Sequence, residues 1–437
     1  MAKILFIRVN IYEKKSSDAL QPLVFAILDA LTPLSYEREY IDDCIEDVDF
    51  NIKADIVAFT FGTYAAKRAY AFAQKFKQNG ATIIMGGFHV TAMPEEAMEH
   101  ADAVITGDAE PVWKQVLLDY ETNNLQPKYV SQHTEKELHT VFNRNIFKGK
   151  KYFPSNLVQW GRGCKHNCDF CSIKSFYGNS GLLRPIQDVV NEIKTLDNKT
   201  IFFADDNLFH SRELFVVFLT QLIPLKKKWG CQISIDVTRD EELMKLMKSS
   251  GCVMALVGIE TFNTDNLKQM NKSWNRSKSE YSIAIKKFRD AGIMVYGTFI
   301  FGYDFDTVDS FTPTVDFAIE NKLFLANFNP LYPMPGTELY KRLKEENRLE
   351  FDKWWLHPDF YYGRTKFKPL SMTTEELEIG CFENKKKFNT VKSITYRLLD
   401  LKANASSIKN IVLFLLVNIV NRREIYRKQN QKLGQVQ

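Results

Sequence analysis

Along the first 130 positions, hydrophobic residues fall in short unbroken runs separated by longer stretches with helical spacing. Residues 3–9, 55–60, 82–85 and 103–106 are apolar runs of strand length, whereas 21–31 and 65–78 repeat their apolar residues as helices do. Short buried strands alternating with helices are what a parallel sheet covered on both faces requires. Residues 1–130 are therefore expected to form a doubly wound α/β domain. Residues 131–150 are polar without periodicity and read as a linker. Strand and helix alternate again from Asn156, with strand-like runs at 156–160, 201–205, 233–238, 253–260, 295–302 and 329–335. This predicts a full or partial parallel (β/α) barrel over 151–345. A C-terminal extension, 346–437, is expected to be mainly helical.

Between the first two runs of the second region stand Cys164, Cys168 and Cys171, spaced Cys-x3-Cys-x2-Cys. Three thiolates can hold a 4Fe–4S cubane and leave one iron open to a small-molecule ligand. Structural zinc usually takes four ligands from paired units; no second pair follows, and His166 sits inside the loop, where it could close on a shared metal only if the backbone doubled back. The other four cysteines, 44, 231, 252 and 381, are scattered through apolar or helical stretches, which argues for a reducing compartment. Arg8 interrupts the N-terminal apolar run before a signal-peptide core could form, so the expected location is cytoplasmic.

The formal charge of +5 is unevenly distributed. Residues 381–437 carry twelve Lys/Arg and three Asp/Glu, a local +9, leaving the preceding chain near −4. The basic character belongs to the tail, and nucleic acid is not an expected partner of the body. Within that tail, 411–420 has one polar residue in ten and basic flanks. It is too short to span a bilayer, which takes about 20 residues. Two readings stand for it: a helix packed on the barrel, or a basic interfacial helix touching a membrane.

In doubly wound sheets and barrels alike, ligands bind at the carboxyl ends of strands. In the first region those ends are Thr60-Phe61-Gly62-Thr63, Gly86-Gly87-Phe88-His89-Val90-Thr91 and Gly107-Asp108-Ala109-Glu110. No Gly-x-Gly-x-x-Gly follows the first strand, which disfavours a dinucleotide. In the second region they include Asp205-Asp206-Asn207, Asp236, Gly258-Ile259-Glu260-Thr261 and Gly297. Each acid taken alone reads as an ordinary helix cap, and the glycines and His89 as turn residues and a packed histidine.

Taken together, the cluster loop Gly163–Cys171, with Phe170 before its last Cys, and the ordered strand ends resemble the radical S-adenosylmethionine (SAM) enzymes that carry a cobalamin-binding domain. Their subgroup with the hopanoid methylases and the anaerobic bacteriochlorophyll ring cyclase is the most similar. The resemblance implies that Cys164, Cys168 and Cys171 hold the cluster and that Phe170, Arg184, Asp205, Asp206, Asn207, Asp236, Glu260 and Gly297 contact SAM. It implies that Thr60, Thr63, Gly86, Gly87, His89, Thr91, Gly107 and Glu110 border cobalamin. Asp108 and Phe88 depart from the family's usual Glu and Pro. Where the family has an Arg-x-Arg pair, this chain has Leu182 and Arg184. With no Asp-x-His-x-x-Gly, base-off cobalamin without a His ligand is implied.

The activity implied is reductive cleavage of SAM to a 5′-deoxyadenosyl radical, hydrogen abstraction from a small-molecule or lipid substrate, and methyl transfer through methylcobalamin. An external one-electron reductant such as flavodoxin or ferredoxin is the implied partner. Cyclisation, oxidation or radical coupling without methyl transfer is the alternative chemistry, and an iron–sulfur or corrinoid sensor the non-enzyme alternative.

Overall fold

The computed structural model describes residues 1–434 except 17, 132–137, 139, 179–180 and 273–276. Much of the first half of the expected linker thus lies outside the described residues. Six parallel strands, β1 (Lys3–Arg8), β2 (Glu37–Asp42), β3 (Ile56–Thr60), β4 (Thr82–Gly86), β5 (Ala103–Thr106) and β6 (Lys128–Val130), pair in the order β2-β1-β3-β4-β5-β6. Side chains alternate across a strand, and both faces of this sheet are covered. Ile4 and Phe6 pack with Phe25, Tyr40 and Trp113 on one side, while Leu5 and Ile7 pack with Phe59, Phe72 and Phe76 on the other. The doubly wound sheet is as expected, with two strands more, β2 and β6, one at each edge. β2 reads Glu-Arg-Glu-Tyr-Ile-Asp, too polar to stand out as a strand. Lys3 of β1 meets both Glu37 and Glu39, at 3.3 and 2.8 Å, so its charges suit an exposed edge.

The second region begins with β7 (Asn156–Val158). A two-stranded antiparallel ribbon follows, β8 (Gly161–Arg162) with β9 (Leu182–Leu183). Then β10 (Thr200–Phe203), β11 (Lys228–Gln232), β12 (Cys252–Glu260), β13 (Met294–Phe301) and β14 (Leu325–Pro330) pair in sequential parallel order, with β7 and β14 at the two edges. The barrel is therefore partial: six strands, open between β14 and β7. Its two faces differ. In β13, Val295, Phe299 and Phe301 are buried under the helices while Tyr296, Thr298 and Ile300 are only half-buried. In β14, Ala326 and Phe328 are buried and Asn327 and Asn329 half-buried. The half-buried set lines a hollow concave face.

The C-terminal extension follows the helix Glu338–Glu345. Before its first helix, Thr374–Phe388, the chain folds back as a strap without helix. Trp354, Trp355 and Phe360 of that strap, with Leu433, complete one core of the first domain. Trp354 donates its indole N–H to the Pro333 carbonyl and Trp355 to Glu96, both at 2.9 Å. Large aromatic rings bury against whichever apolar surface remains uncovered, and here that surface is a sheet some 250 positions earlier in sequence. The helices that follow are knotted to the barrel by Arg397, fully buried, which donates to the carbonyls of Leu323, Phe324 and Phe388 and to Asn418. No helix among the described residues is long and apolar enough to cross a membrane.

Candidate active site

Cys164, Cys168 and Cys171 lie in the loop between β8 and the short helix Ser172–Tyr177, all three partly accessible. The loop is fastened from below. Asp205, 2 % exposed, accepts the backbone N–H groups of Trp160, at 3.0 Å, and Gly161. Asp206 accepts that of Gly163 at 2.9 Å. Asp169 is held by the Tyr303 hydroxyl at 2.6 Å, its N–H donating to the Met270 carbonyl. Burial pushes the Asp205 carboxyl up to about 7 despite its two N–H donors. Among the described residues no three His, Cys, Asp or Glu converge closely enough to share one metal ion. A cubane asks each thiolate to meet a different iron rather than one shared ion.

Facing the loop, β12 ends in Glu260 with φ +67°, after a shift of register against β13. A bulge of this kind re-aims a side chain. Ile259 stays in the core while Glu260 turns inward to Lys272, at 2.9 Å, with the Thr298 hydroxyl at 3.5 Å. A Cβ at Gly258 would lie 2.3 Å from the Glu260 carboxylate, so a side chain there would displace that group. Asp236 sits in the turn Ile235–Arg239, 3.6 Å from Arg239. Phe170 packs half-buried on the barrel core, edge-on to Tyr303.

Several residues expected to contact SAM also have protein partners. Arg184 is already committed, buried, to Glu192 at 2.6 Å and to the Gln159 carbonyl. The Asn207 oxygen accepts the N–H groups of Phe209 and Ser234, tying β10's loop to β11's. Gly297 points into the helix layer, where a Cβ would meet Leu323 at 2.8 Å; by the two-residue period of a strand its neighbour Thr298 faces the interior. Both oxygens of Asp205 bind backbone. These residues shape the site from behind.

In the first domain a cavity of about 260 Å³ opens at the carboxyl ends of β3, β4 and β5. Thr60, Gly86, Gly87, Gly107 and Glu110 line it; Thr63, His89 and Thr91 do not. His89 is fully buried on the opposite side, its ring nitrogens 3.3 Å from Thr63 and 3.1 Å from both Tyr70 and Glu96. Burial alone would raise Glu96, but His89, Trp355 and Lys353 hold its carboxyl down at about 2. Thr91 accepts the Gly107 N–H at 2.9 Å and joins two strand ends. These three residues, expected at the ligand, stand outside the cavity lining, and the short helix Phe88–Ala92 carries the buried His89. Gly87 has φ +104°, and a Cβ there would lie 2.8 Å from the Phe61 carbonyl, so the loop itself demands glycine.

The cavity's far wall belongs to the barrel. Gln159, Arg162, Phe176 and Tyr177 line it, the last three flanking the cysteine loop on both sides. Arg162, 4 % exposed, bridges Asp108 at 2.8 Å and Glu110 at 2.6 Å, and the Tyr177 hydroxyl donates to Asp108 at 3.2 Å. Phe88 stacks near Phe176, ring centroids 4.5 Å apart. Arg162, Tyr177 and Lys272 escaped sequence reasoning. The one signal for Arg162 is a cation set between two glycines directly before the first cysteine.

The pattern of the Radical SAM superfamily matches residues 158–318. Across 374 residues the chain is 30 % identical to bacteriochlorophyllide d C-12(1)-methyltransferase of Chlorobaculum tepidum, covering 82 % of this chain and 80 % of that one. It is 27 % identical over 356 residues to the C-8(2)-methyltransferase of the same organism, covering 76 % and 78 %. The solved structure of the cobalamin-dependent SAM radical enzyme OxsB with aqua-cobalamin bound shares the fold over 98 % of this chain and 80 % of its own, with TM-score 0.66 at 12 % identity. A three-cysteine loop on an open parallel barrel, matched along its length in this way, defines a radical SAM enzyme. The chain belongs to the radical SAM superfamily, in the same family as the bacteriochlorophyllide d methyltransferase it matches along its length. Cofactors of that superfamily are a 4Fe–4S cluster and SAM, and the solved OxsB structure that shares the fold binds cobalamin as well.

Proposed function

We propose that this enzyme is a cobalamin-dependent C-methyltransferase acting on a hydrophobic small molecule or lipid. The observation that carries the reading is the shared wall: Arg162, Phe176 and Tyr177 flank the cysteine loop and also line the cavity of the first domain. Two cofactors held on opposite sides of that wall would act on one substrate between them. The full-length relatives that methylate a bacteriochlorophyllide support methyl transfer over cyclisation, oxidation or coupling.

When bound, the cluster with SAM supplies a 5′-deoxyadenosyl radical and cobalamin a transferable methyl group. The protein's part is positioning and exclusion of water. Cys164, Cys168 and Cys171 would hold the cluster, and Asp205 and Asp206 fix the loop's backbone. Glu260, buried with Lys272 and Thr298, offers SAM carboxylate and hydroxyl oxygens on the concave face. Thr60, Gly86, Gly87, Gly107 and Glu110 would cradle the corrinoid, and Gly86, whose Cβ position has only ordinary neighbours, would leave room for its close approach. Tyr296, Ile300, Asn327 and Asn329 face the hollow and give a substrate both apolar surface and amide partners. The enzyme draws its electron from an external flavodoxin or ferredoxin and works in the cytoplasm.

Trideuteromethyl SAM tests this with candidate hydrophobic substrates. Label in the product together with deoxyadenosine supports methyl transfer. Deoxyadenosine with an altered but unlabelled product overturns it in favour of cyclisation or oxidation.

A further inference from the structure

The C-terminal helix, Ile408–Lys428, has two apolar faces. Its inner face lays Phe414 and Asn418, both fully buried, against Phe324 and Met294 beneath the amino ends of β12, β13 and β14. The outer face is uncovered. Ile408, Val412, Leu416 and Ile419 recur at helical spacing with 81, 49, 60 and 46 % of their surface exposed. Leu413 and Val420 widen that stripe, and Leu399 and Leu401 extend it at the base. A contiguous exposed apolar patch of this kind marks an interaction surface. Along it stand exposed cations, Lys409, Arg423 and Arg427, and the helix carries five Lys/Arg against a single acid, Glu424.

We infer that this face docks on an anionic lipid surface, lying in its plane. Leucine and isoleucine enter the acyl boundary while flanking cations meet headgroup phosphates. Tyr426, exposed on the same helical row, is a residue type that favours the headgroup level. Charge argues against a second copy of the chain as occupant. A two-fold contact brings the same patch against itself, so the cations of each copy would face those of the other. The stripe lies at the amino ends of the strands, whereas the cysteine loop and the cavity open at the carboxyl ends. The helix therefore anchors the enzyme at a membrane without forming the gate through which substrate enters.

The test is co-sedimentation of the full chain with vesicles. The expected result is binding to mixed phosphatidylcholine and phosphatidylglycerol vesicles, weak binding to phosphatidylcholine alone, and loss of binding as salt rises. The double variant Leu416→Ser, Ile419→Ser should bind at least about tenfold less, with cluster absorbance and melting temperature unchanged because both side chains face solvent. Should that variant misfold, Lys409→Glu with Arg423→Glu, also exposed, makes the same test through charge. Anionic vesicles that fail to retain the parent chain, or that retain both variants equally, overturn the inference. So does sedimentation velocity showing a dimer that the double variant dissociates, which assigns the face to a second copy. Neither result bears on methyl transfer, which reads out in the deuterium experiment.

Discussion

Two six-stranded parallel sheets make up this protein, and they handle burial in opposite ways. The first is covered on both faces, so β1 is buried from Ile4 to Ile7 without a break. Its ligand space is confined to the strand ends. The second is covered on one face, so β13 alternates buried and half-buried residues along its length, and the hollow runs up the inside of the sheet. A closed sheet can hold a ligand only at its rim, whereas an open one presents polar residues such as Glu260, Thr298 and Asn327 along an entire face. The two sheets meet at Arg162, a cation from the barrel answering two acids from the first domain.

The largest effect that separates the two regions is expected from Cys168→Ala. It should abolish cluster absorbance and deoxyadenosine formation after anaerobic reconstitution, while the first domain keeps any corrinoid it binds. An unchanged cluster spectrum would remove the barrel's side of the comparison.

The complementary change is Gly86→Leu. The Cβ position there has only ordinary neighbours, at 3.7 and 3.8 Å, so the chain accommodates the residue while its isobutyl group fills cavity space. Corrinoid absorbance after growth with hydroxocobalamin should fall at least about tenfold, with cluster content preserved. Gly87 is a poorer probe, because its left-handed backbone and the nearby Phe61 carbonyl make any side chain a folding defect.

Smaller and graded effects come from one buried carboxylate in each region. Glu96, held down at about 2 from 4.5 by His89, Trp355 and Lys353, contributes stability that is present above its unfolded value and lost as pH falls from 4.5 towards 2, about 3 kcal/mol in all. Asp205, raised to about 7 from 3.8 by burial, works in the opposite sense. Its folded form favours the proton, so stability is highest below pH 3.8 and declines by up to about 4 kcal/mol as pH rises towards 7. Urea unfolding across pH should show Glu96→Gln flattening the acid limb and Asp205→Asn flattening the interval from about 4 to 7. Identical profiles for the two variants would mean the environments do not differ as described.

Much of the architecture was legible because hydrophobic pattern reports local burial. The apolar runs of β1, β3, β4 and β5 announced a sheet covered on both sides, and the spacing of three cysteines announced a cluster loop without any tertiary information. β2 was not legible, since an edge strand satisfied by Lys3 has no need of apolar character. The expectation for 411–420 set a packed helix against an interfacial one; the structure has a packed inner face and an uncovered outer one, which an all-apolar decapeptide could not distinguish.

By itself the sequence determined the order of elements, the three cysteines and the strand ends where ligands gather, because these depend on local periodicity and on spacing along the chain. Only the tertiary structure decided which strand-end residues face the cavity or the hollow. Orientation follows from a bulge at Glu260, from a five-residue helix that turns His89 inward, and from partners distant in the chain such as Trp355 for Glu96 and Glu192 for Arg184. It also decided that the strap containing Trp354 and Trp355 completes the first domain's core, and that Arg162 joins the two regions. Long-range contacts of that kind leave no periodic trace, since burial of a ring or pairing of a charge is satisfied equally well by any part of the chain that folding brings near.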